Sequence, residues 1–566
     1  MKVRRLQIEN FRGIQSLDLA LGDTTVLIGE NNTGKTAILD ALRFALRDIR
    51  SRKNCAFDTY DFHLATAGSE PSGAPAIRIR VTLREDTAGE WGAAVLGNLN
   101  RTRILQADSE GRGMVIYEVS ASFNPTVGDF QQSWQFLNEE GAPLTGIAEN
   151  AVGVLQAAVS YYYLAALRDA GKHFDSRGAF WRPFLKDSQL SPEAKAEIES
   201  RLQEVNDLIV ESHETFAQVS SCLDDIARVV PVGGTENTVS IEAVPGRLFD
   251  MLSKAQVNLK AGTGAKVPLA RHGEGTQSLS VLMLFSAFLA NWSQGTPFVA
   301  LEEPEAHLHP SAIRALWKLL DRLPGQKIIS SHSGDLLSEV PSASIVRLHR
   351  ASTGISASRL VDAGLGEEEQ RKFNFHIRLA RGELLFARCW ILGEGETEAT
   401  LIPEVARHLG HDFEAMGIRC VTYQTGISLE PCLKVANALG IQWVVLRDND
   451  LQGAHDLEAI RRQLAGRQEA DVCVTMPERH IELHLCSAGF GAVYEGFLTD
   501  RLRPRVTLPT TDPGYWAQLL DVVKSNREFS KPAAMQGVMA MIRAGAAHPP
   551  VIQSVLEKAI QLARPS

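Results

Sequence analysis

No stretch of the 566 residues approaches the ~20 consecutive apolar positions of a membrane-spanning helix. No membrane association is therefore expected. Cysteine is scarce: there are seven, scattered and without a C-x-x-C pair. That excludes a disulfide framework and a zinc module, and it fits a reduced, cytoplasmic setting. The opening MKVRRLQIENFRGI is basic, but no apolar core or cleavage site follows, so it is not read as a secretory signal. Positive charge is not in excess, since the formal net charge is −9. Contact with nucleic acid would have to come from a local basic patch or from metal ions. Internal repeats and low-complexity tails are lacking too. What remains, 44% hydrophobic and 22% charged residues, is the composition of a soluble globular chain. The length predicts roughly three to four domains and room for a large core.

Against these absences stands Gly29–Thr36, GENNTGKT, which fits the phosphate-loop template G-x-x-x-x-G-K-[ST]. An apolar run of strand character, Thr25–Ile28, precedes it. In Ala37–Ile49, which follows, Ile38, Leu39, Leu42, Leu46 and Ile49 share one helical face. Strand, Gly-rich loop and helix point backbone N–H groups and a helix N-terminus at phosphate oxygens. The predicted nucleotide-binding residues are Gly29, Asn31, Asn32, Gly34, Lys35 and Thr36, with Lys35 on the β- and γ-phosphates and the Thr36 hydroxyl on Mg²⁺.

Lys2–Asn10 and Ser16–Ala20 read as paired strands ahead of this loop. Ala65–Ala76 is a Gly/Pro-rich connection. Ile77–Arg84 alternates strictly, as a half-buried strand does, and Val115–Phe123 reads as another. Ser191–Val230 differs in character. Ile198, Leu202, Val205, Ile209, Phe216, Val219, Leu223, Ile226 and Val230 fall at alternating steps of four and three, with Ser212 as the polar position in the series. This heptad seam is one long helix of a local bundle or an inserted arm for dimerisation. Pro192 suits a first helical turn. Ala261–Pro268 looks like the loop that returns the chain to the nucleotide domain. A boundary is placed near residue 380.

Pro297–Pro310, PFVALEEPEAHLHP, carries an apolar strand, Phe298–Leu301, ending in two carboxylates. Glu302 is assigned to Mg²⁺ and Glu303 to the general base that polarises the attacking water. Arg271–Ser278, RHGEGTQS, leads into a helix expected to begin near Leu279, and Gly273, Gly275 and Ser278 at a helix start form an anion site. His332 follows the strand Lys327–Ser331. These elements, in this order and with the opening IENFRGI, resemble the SMC- and RecF-like branch of ABC ATPases over roughly residues 1–350. The resemblance implies a signature loop at 271–278 that completes the site of an opposite subunit, and a switch histidine at His332 that senses the γ-phosphate. Glu302 departs from the Asp that many relatives carry there.

Cys389–Leu392 is a short apolar strand ending in GEGETE (393–398), with a helix from Ala399. Glu394 at the strand tip and Glu398 one turn later can face one point. Trp443–Leu446 is a second buried strand ending in Asp448-Asn449-Asp450. Strand ends of an open α/β sheet converge on one edge. Four carboxylates there repel unless hard cations bridge them, and oxygen-only ligands suit Mg²⁺ or Mn²⁺, with Ca²⁺ in part. E-G-x-T-E followed by D-x-D resembles a TOPRIM domain. Behind an ABC head, the pairing resembles the OLD (overcoming lysogenization defect) family of ATP-dependent endonucleases, with the nuclease subunit of Gabija antiphage systems as a related assembly. That likeness implies metal ligands at Glu394, Glu398, Asp448, Asp450 and Glu482, a phosphate-stabilising Lys531, and a homodimer. Glu394 also stands as catalytic, with Glu303, His332 and Lys531.

The expected fold is α/β: an ABC-type ATPase domain with an inserted helical dimerisation arm, then a C-terminal TOPRIM domain. Its segments are 1–165 and 261–380 for the ATPase, 166–260 for the helical insertion and 381–566 for the TOPRIM domain with C-terminal helices. The expected function is cleavage of DNA by a two-metal mechanism governed by ATP. Arg461, Arg462, Arg467, Arg501, Arg503 and Arg505 are available for backbone contacts. The cytoplasmic partners in view are DNA, a second copy, and a helicase or other defence protein. An ATP-gated DNA clamp or repair scaffold without nuclease chemistry is the alternative. A topoisomerase would need a nucleophile such as Tyr494 or Tyr515 in a DNA-gate domain, and a primase would need a zinc module.

Overall fold

The structure is a computed structural model. It describes residues 1–48, 55–64, 66, 68–165, 191–212, 258–260, 266–268, 271–292, 295–306, 308–351, 354–379, 382–423, 427–526 and 529–564. The chain divides into two compact units, Met1–Tyr161 with Gln326–Ser566, and Tyr162–Gly325.

In the larger unit, β1 (Val3–Phe11) and β2 (Ile14–Ala20) form an antiparallel pair, with Phe11 opposite Ile14. Next come β3 (Thr24–Gly29), α1 (Lys35–Arg43), β4 (Ile77–Arg84), β5 (Gly113–Asn124) and β6 (Asp129–Leu137). β4 pairs with β1 and with β5, and β5 pairs with β6, all antiparallel. The alternation of IRIRVTLR is what buries Ile77, Ile79, Val81 and Leu83 on one face of β4. β7 (Gln326–Ser330) and β8 (Ile345–Ala351) flank β3 in parallel, and β9 (Gly354–Arg359) returns antiparallel to β8. Gln326 locks this sheet to the first strand: its side chain bonds both the N–H and the carbonyl of Val3, at 2.8 and 2.7 Å.

The rest of this unit is a second sheet with helices. It runs β10 (Cys389–Gly393), α2 (Glu396–His408), β11 (Ile418–Thr422), α3 (Leu429–Ala438), β12 (Gln442–Arg447), α4 (Leu451–Arg462), β13 (Cys473–Thr475) and α5 (Ile481–Leu485). Three more helices follow: α6 (Tyr515–Lys524), α7 (Lys531–Arg543) and α8 (Pro550–Leu562). The strand order is β11-β10-β12-β13, and every pairing is parallel. CWILG and WVVL have no polar alternation because both faces of a central parallel strand are covered, and every residue of β10 is buried. Gly393 pairs with Leu446, so Glu394 and Asp448 leave the sheet side by side.

In the smaller unit, Pro192–Ser212 is one helix, as the heptad seam and Pro192 predict. Of the seam, Val205 and Ile209 are exposed within this chain. Phe216, Val219, Leu223, Ile226 and Val230 lie outside the described residues, as does Ile49 of the α1 face. The strand predicted at Phe298–Leu301 runs Thr296–Glu302. The helix expected near Leu279 instead begins at Glu274 and continues to Trp292. This corrects the reading of Arg271–Ser278. Gly273 precedes the helix, but Gly275 and Ser278 lie within it, and Ser278 is buried. The apolar run marks where burial begins, not where the helix begins.

Candidate functional site

The phosphate loop leaves β3 through two backbone positions that require glycine. Gly29 has φ 149°, and a Cβ there would meet the Leu348 carbonyl oxygen at 2.4 Å. Gly34, at φ 86°, caps α1 in the left-handed region. Asn32 between them is also left-handed, at φ 62°, a conformation Asn tolerates better than most residues. Lys35 is buried, and its Nζ donates to the carbonyls of Gly29 and Glu30 at 2.8 and 2.7 Å. Thr36 lies on the first turn of α1. His332 follows β7 and lines a cavity with Gly29, Glu30 and Asn31. One unit thus brings the loop and the histidine together.

Glu302 and Glu303 belong to the other unit. Glu302 ends its strand and accepts a hydrogen bond from the Tyr163 hydroxyl at 2.6 Å. Glu303 has φ 44°, an uncommon backbone for a residue with a Cβ. Such strain is found preferentially where a side chain must be aimed.

The second constellation is built by strand ends. β10 delivers Glu394, and α2 delivers Glu398 on its first turn. Gly393 makes room for this: a Cβ on it would stand 2.8 Å from the Cβ of Glu398. β12 delivers Asp448, then Asp450, whose Oδ1 caps α4 by accepting from the Gly453 N–H at 2.8 Å. Glu398 accepts from the Gly395 N–H at 3.1 Å. Burial pushes Asp448 up to about 8, helped by the charges of Glu394, Glu398 and Asp450 and by a hydrogen bond with Glu394. Glu394 is raised as well, first by burial, then by Asp450, Asp456 and Glu398. Glu398 is raised by burial and by the charge of Glu482. Burial and mutual repulsion thus raise Glu394 and Asp448 together at the convergence of the strands.

Glu482, on α5, is the opposite case. Burial alone would raise it, but contact with His480 and the charges of Lys524 and Lys531 outweigh that and hold it at about 2. Lys531 Nζ is 3.3 Å from this carboxylate, Lys524 Nζ 3.7 Å and His480 Nδ1 3.0 Å. Glu398 is within electrostatic reach of both Glu482 and Lys531. Among the described residues, no three His, Cys, Asp or Glu side chains form a ready-made metal cluster; Glu398 and Asp450 each accept from a backbone N–H. The chemistry of the donor set still fits a hard divalent cation. It is all oxygen, and buried or half-buried carboxylates delivered by neighbouring strand ends repel one another where a cation would serve.

Several contributors escape a sequence reading. Asp456, on α4, is buried and accepts from the Tyr423 hydroxyl at 2.8 Å and from Gln452 at 3.0 Å. Its spacing from Asp450 could have flagged it. Lys524, His480 and Gly453 carry no local signal. Of the arginines read as DNA contacts, Arg461 pairs with Glu469 and Arg462 with Glu430, both at 2.8 Å, while Arg467 stacks on Trp443. Tyr494 is fully buried, and Tyr515 donates to Glu495 at 2.7 Å, so neither is presented as a nucleophile. Among the described residues, no helix is long and apolar enough to cross a membrane.

Comparison with known proteins places these sites in a family. The model described as "Protein of unknown function (DUF2813)" matches residues 1–231 and 250–383. The model "Overcoming lysogenization defect protein-like, TOPRIM domain" matches residues 385–450, the stretch that holds Glu394, Glu398, Asp448 and Asp450. The chain is 29% identical over 513 residues to the uncharacterized protein YbjD of Escherichia coli (strain K12), covering 87% of this chain and 88% of that one. It is 25% identical over 469 residues to the OLD nuclease of Thermus scotoductus (strain ATCC 700910 / SA-01), covering 79% and 82%. It is 23% identical over 506 residues to the endonuclease GajA of Bacillus cereus (strain VD045), covering 84% and 82%. The chain belongs to the DUF2813 family and, with an OLD-like TOPRIM domain following its phosphate-loop head, to the OLD family.

Proposed function

We propose that this protein is an ATP-binding and ATP-hydrolysing DNA endonuclease. Its phosphodiester chemistry is assigned to the carboxylates at the ends of β10 and β12. The observation that carries the reading is geometric: Glu394 and Asp448 leave the adjacent parallel strands β10 and β12 side by side, with Glu398 on the first turn of α2, a place where a divalent cation would relieve like-charge repulsion. Relatives named as nucleases support the same class. Glu394, Glu398, Asp448, Asp450 and Glu482 would hold Mg²⁺ or Mn²⁺. Such ions supply a water of lowered pKa and neutralise charge on the leaving oxygen. Lys531, held beside Glu482, is positioned to offset charge on a phosphate. At the nucleotide site, Lys35 and Thr36 bind the phosphates and their Mg²⁺. Glu302 assists the metal, Glu303 acts as general base, and His332 senses the γ-phosphate. Segments 1–165 and 261–380 are our ATPase domain, 166–260 the dimerisation insertion and 381–566 the nuclease domain. The homodimer is part of the proposal.

The test is cleavage of supercoiled and linear plasmid in Mg²⁺, Mn²⁺ or EDTA, with and without ATP. Glu394→Ala should abolish cutting and leave ATP binding intact, and Lys35→Ala should remove ATP binding. Cutting retained in Glu394→Ala would overturn the assignment. One observation favours the second reading, an ATP-gated DNA clamp: Glu398 and Asp450 already serve backbone N–H groups. A wild type that hydrolyses ATP and cuts in no lane would select that reading.

A further inference from the structure

Two arginines tie the phosphate-loop sheet to the strands that carry the carboxylates. Arg347 lies on β8, parallel to β3, and is 3% exposed. Its three guanidinium nitrogens donate to the carbonyls of Leu385, Leu439 and Ala387 at 3.0, 2.8 and 2.7 Å. Leu385 and Ala387 lead into β10, and Leu439 leads into β12. Arg388, the residue immediately before β10, is the second. Its Nε and Nη2 both meet the carboxylate of Glu30, with Nη2 at 2.6 Å. Glu30 is the second residue of the phosphate loop. The backbone of Arg388 bonds the starts of two neighbouring strands: its N–H donates to the Gly417 carbonyl at 2.7 Å, and its carbonyl accepts from Gln442 at 2.8 Å.

The near ends of β10, β11 and β12 are thus gathered at the phosphate loop, while the far ends of β10 and β12 carry Glu394, Asp448 and Asp450. A paired strand of five or six residues is a stiff strut of ~17–20 Å. The two arginines differ in what they can transmit. Arg347 is a buried anchor spent on backbone carbonyls. Arg388 is about a third exposed and holds a side chain of the loop itself. Glu30 is gripped from both sides, its carbonyl by Lys35 and its carboxylate by Arg388. A phosphate that draws Lys35 away from the Gly29 and Glu30 carbonyls loosens one grip and shifts the other. A cavity of about 160 Å³, lined by Glu30, Thr33, Arg347, Arg388 and Gln442 among others, gives the ion pair room to move.

We propose that the Glu30–Arg388 ion pair is the link by which the nucleotide at the phosphate loop sets the placement of Glu394 and Asp448, so that ATP regulates cleavage through this contact. The proposal rests on the nuclease reading above. Arg388 is here a positioning residue, five positions before β10 ends: it borders the phosphate-loop cavity through Glu30 and is assigned neither to the nucleotide phosphates nor to the metal.

The experiment uses the full chain and the variants Arg388→Gln and Arg388→Lys. Three quantities are measured: ATP binding, the ratio of metal-dependent cleavage rates with and without saturating ATP, and hydrogen exchange over residues 389–394 with and without ATP. A typical coupling between sites changes an affinity by roughly 5- to 150-fold, which sets the scale for the change sought in the cleavage ratio. The wild-type ratio should fall in that range, in either direction. Arg388→Gln should bind ATP within about 3-fold of wild type and cut in the absence of ATP, yet respond to ATP by less than about 2-fold. Arg388→Lys, which keeps the charge but not the two-nitrogen fork, should respond in between. Exchange at 389–394 should depend on ATP in wild type and not in Arg388→Gln. A full ATP response in Arg388→Gln, or ATP-independent exchange in wild type, overturns the proposal. If wild type cuts no DNA, the nuclease reading fails, and the exchange arm alone decides whether the link exists.

Discussion

The carbonyl oxygen of Asp448 lies against Gly453 so closely that a Cβ at position 453 would stand 2.0 Å from it. Gly453 also donates its N–H to Asp450 Oδ1, and its carbonyl accepts from Arg447 Nη1, at 2.8 and 3.0 Å. One residue without a side chain therefore sets the exit of β12, where two of the predicted metal ligands sit.

Gly453→Ala should displace the Asp448 backbone, because the obstructing atom belongs to the main chain and cannot rotate away. Overpacking of this kind costs about 1–3 kcal/mol, which a chain of this size should survive folded. The expected result is a modest fall in melting temperature, ATP binding unchanged and metal-dependent cleavage lowered by about a hundredfold, the order that misplacement near 1 Å produces. Cleavage at the wild-type rate would show that the position of Asp448 is not critical.

Arg347 supports the same strands from their other ends. It carries its charge while buried, and that burial lowers its pKa to about 10 despite the neighbouring Glu30. Arg347→Met would fill much of the space and leave three carbonyls without their donor. Leaving a buried acceptor unsatisfied costs about 1–3 kcal/mol. Chemical unfolding followed separately by nucleotide-site and C-terminal probes should show the loss in both, since both sheets meet at this side chain. A variant as stable as wild type would mean that water replaces the guanidinium.

How much of this was readable in advance depends on range. GENNTGKT and GEGETE are local, and the strand, turn and helix around each follow from residues within a few positions. The strict alternation of Ile77–Arg84 gave a strand with those same bounds. Helix ends were less legible: Gly275 and Ser278 read as loop chemistry, yet they lie inside a helix that begins at Glu274. The supports were not legible at all. Arg347 and Arg388 look like any other arginines, and their partners lie 38 to 92 and 358 positions away. Gly453 gave no signal because its constraint is a carbonyl brought back by the turn after β12.

The raised pKa values of Glu394 and Asp448 make metal binding and stability depend on pH in a definite sense. The folded-state pKa of Asp448 is raised to about 8, above the ~3.9 of an unfolded aspartate. The folded state thus binds this proton more tightly. Its contribution to stability is fully present below pH ~4 and is lost as pH rises through about 8. In EDTA, the melting temperature of wild type should fall between pH 6 and 8.5 more than that of Asp448→Asn. Divalent metal competes with the proton, so the rise in melting temperature on adding Mn²⁺ should grow over the same interval. A metal-induced shift that does not vary with pH would place the cation elsewhere.

Lys531 is where a structural role and a chemical one can be separated. Glu482 is 5% exposed in its side chain and has three basic neighbours, of which Lys531 is the most exposed at 52%. Removing Lys531 leaves Lys524 and His480 against the carboxylate, so Lys531→Ala should lower stability by under about 1 kcal/mol, the range of exposed ion pairs. If its ammonium instead faces charge that builds on the phosphate during cleavage, the rate should fall by about 10²–10³, the loss expected from removing one stabilising donor. The two effects then differ in kind: a nearly unchanged melting temperature beside a cleavage rate that collapses, with the Mn²⁺-induced stabilisation retained because Lys531 is not a ligand. A loss of metal-induced stabilisation together with cleavage would mean that Lys531 acts only by orienting Glu482, and the charge-stabilising role would pass to another group.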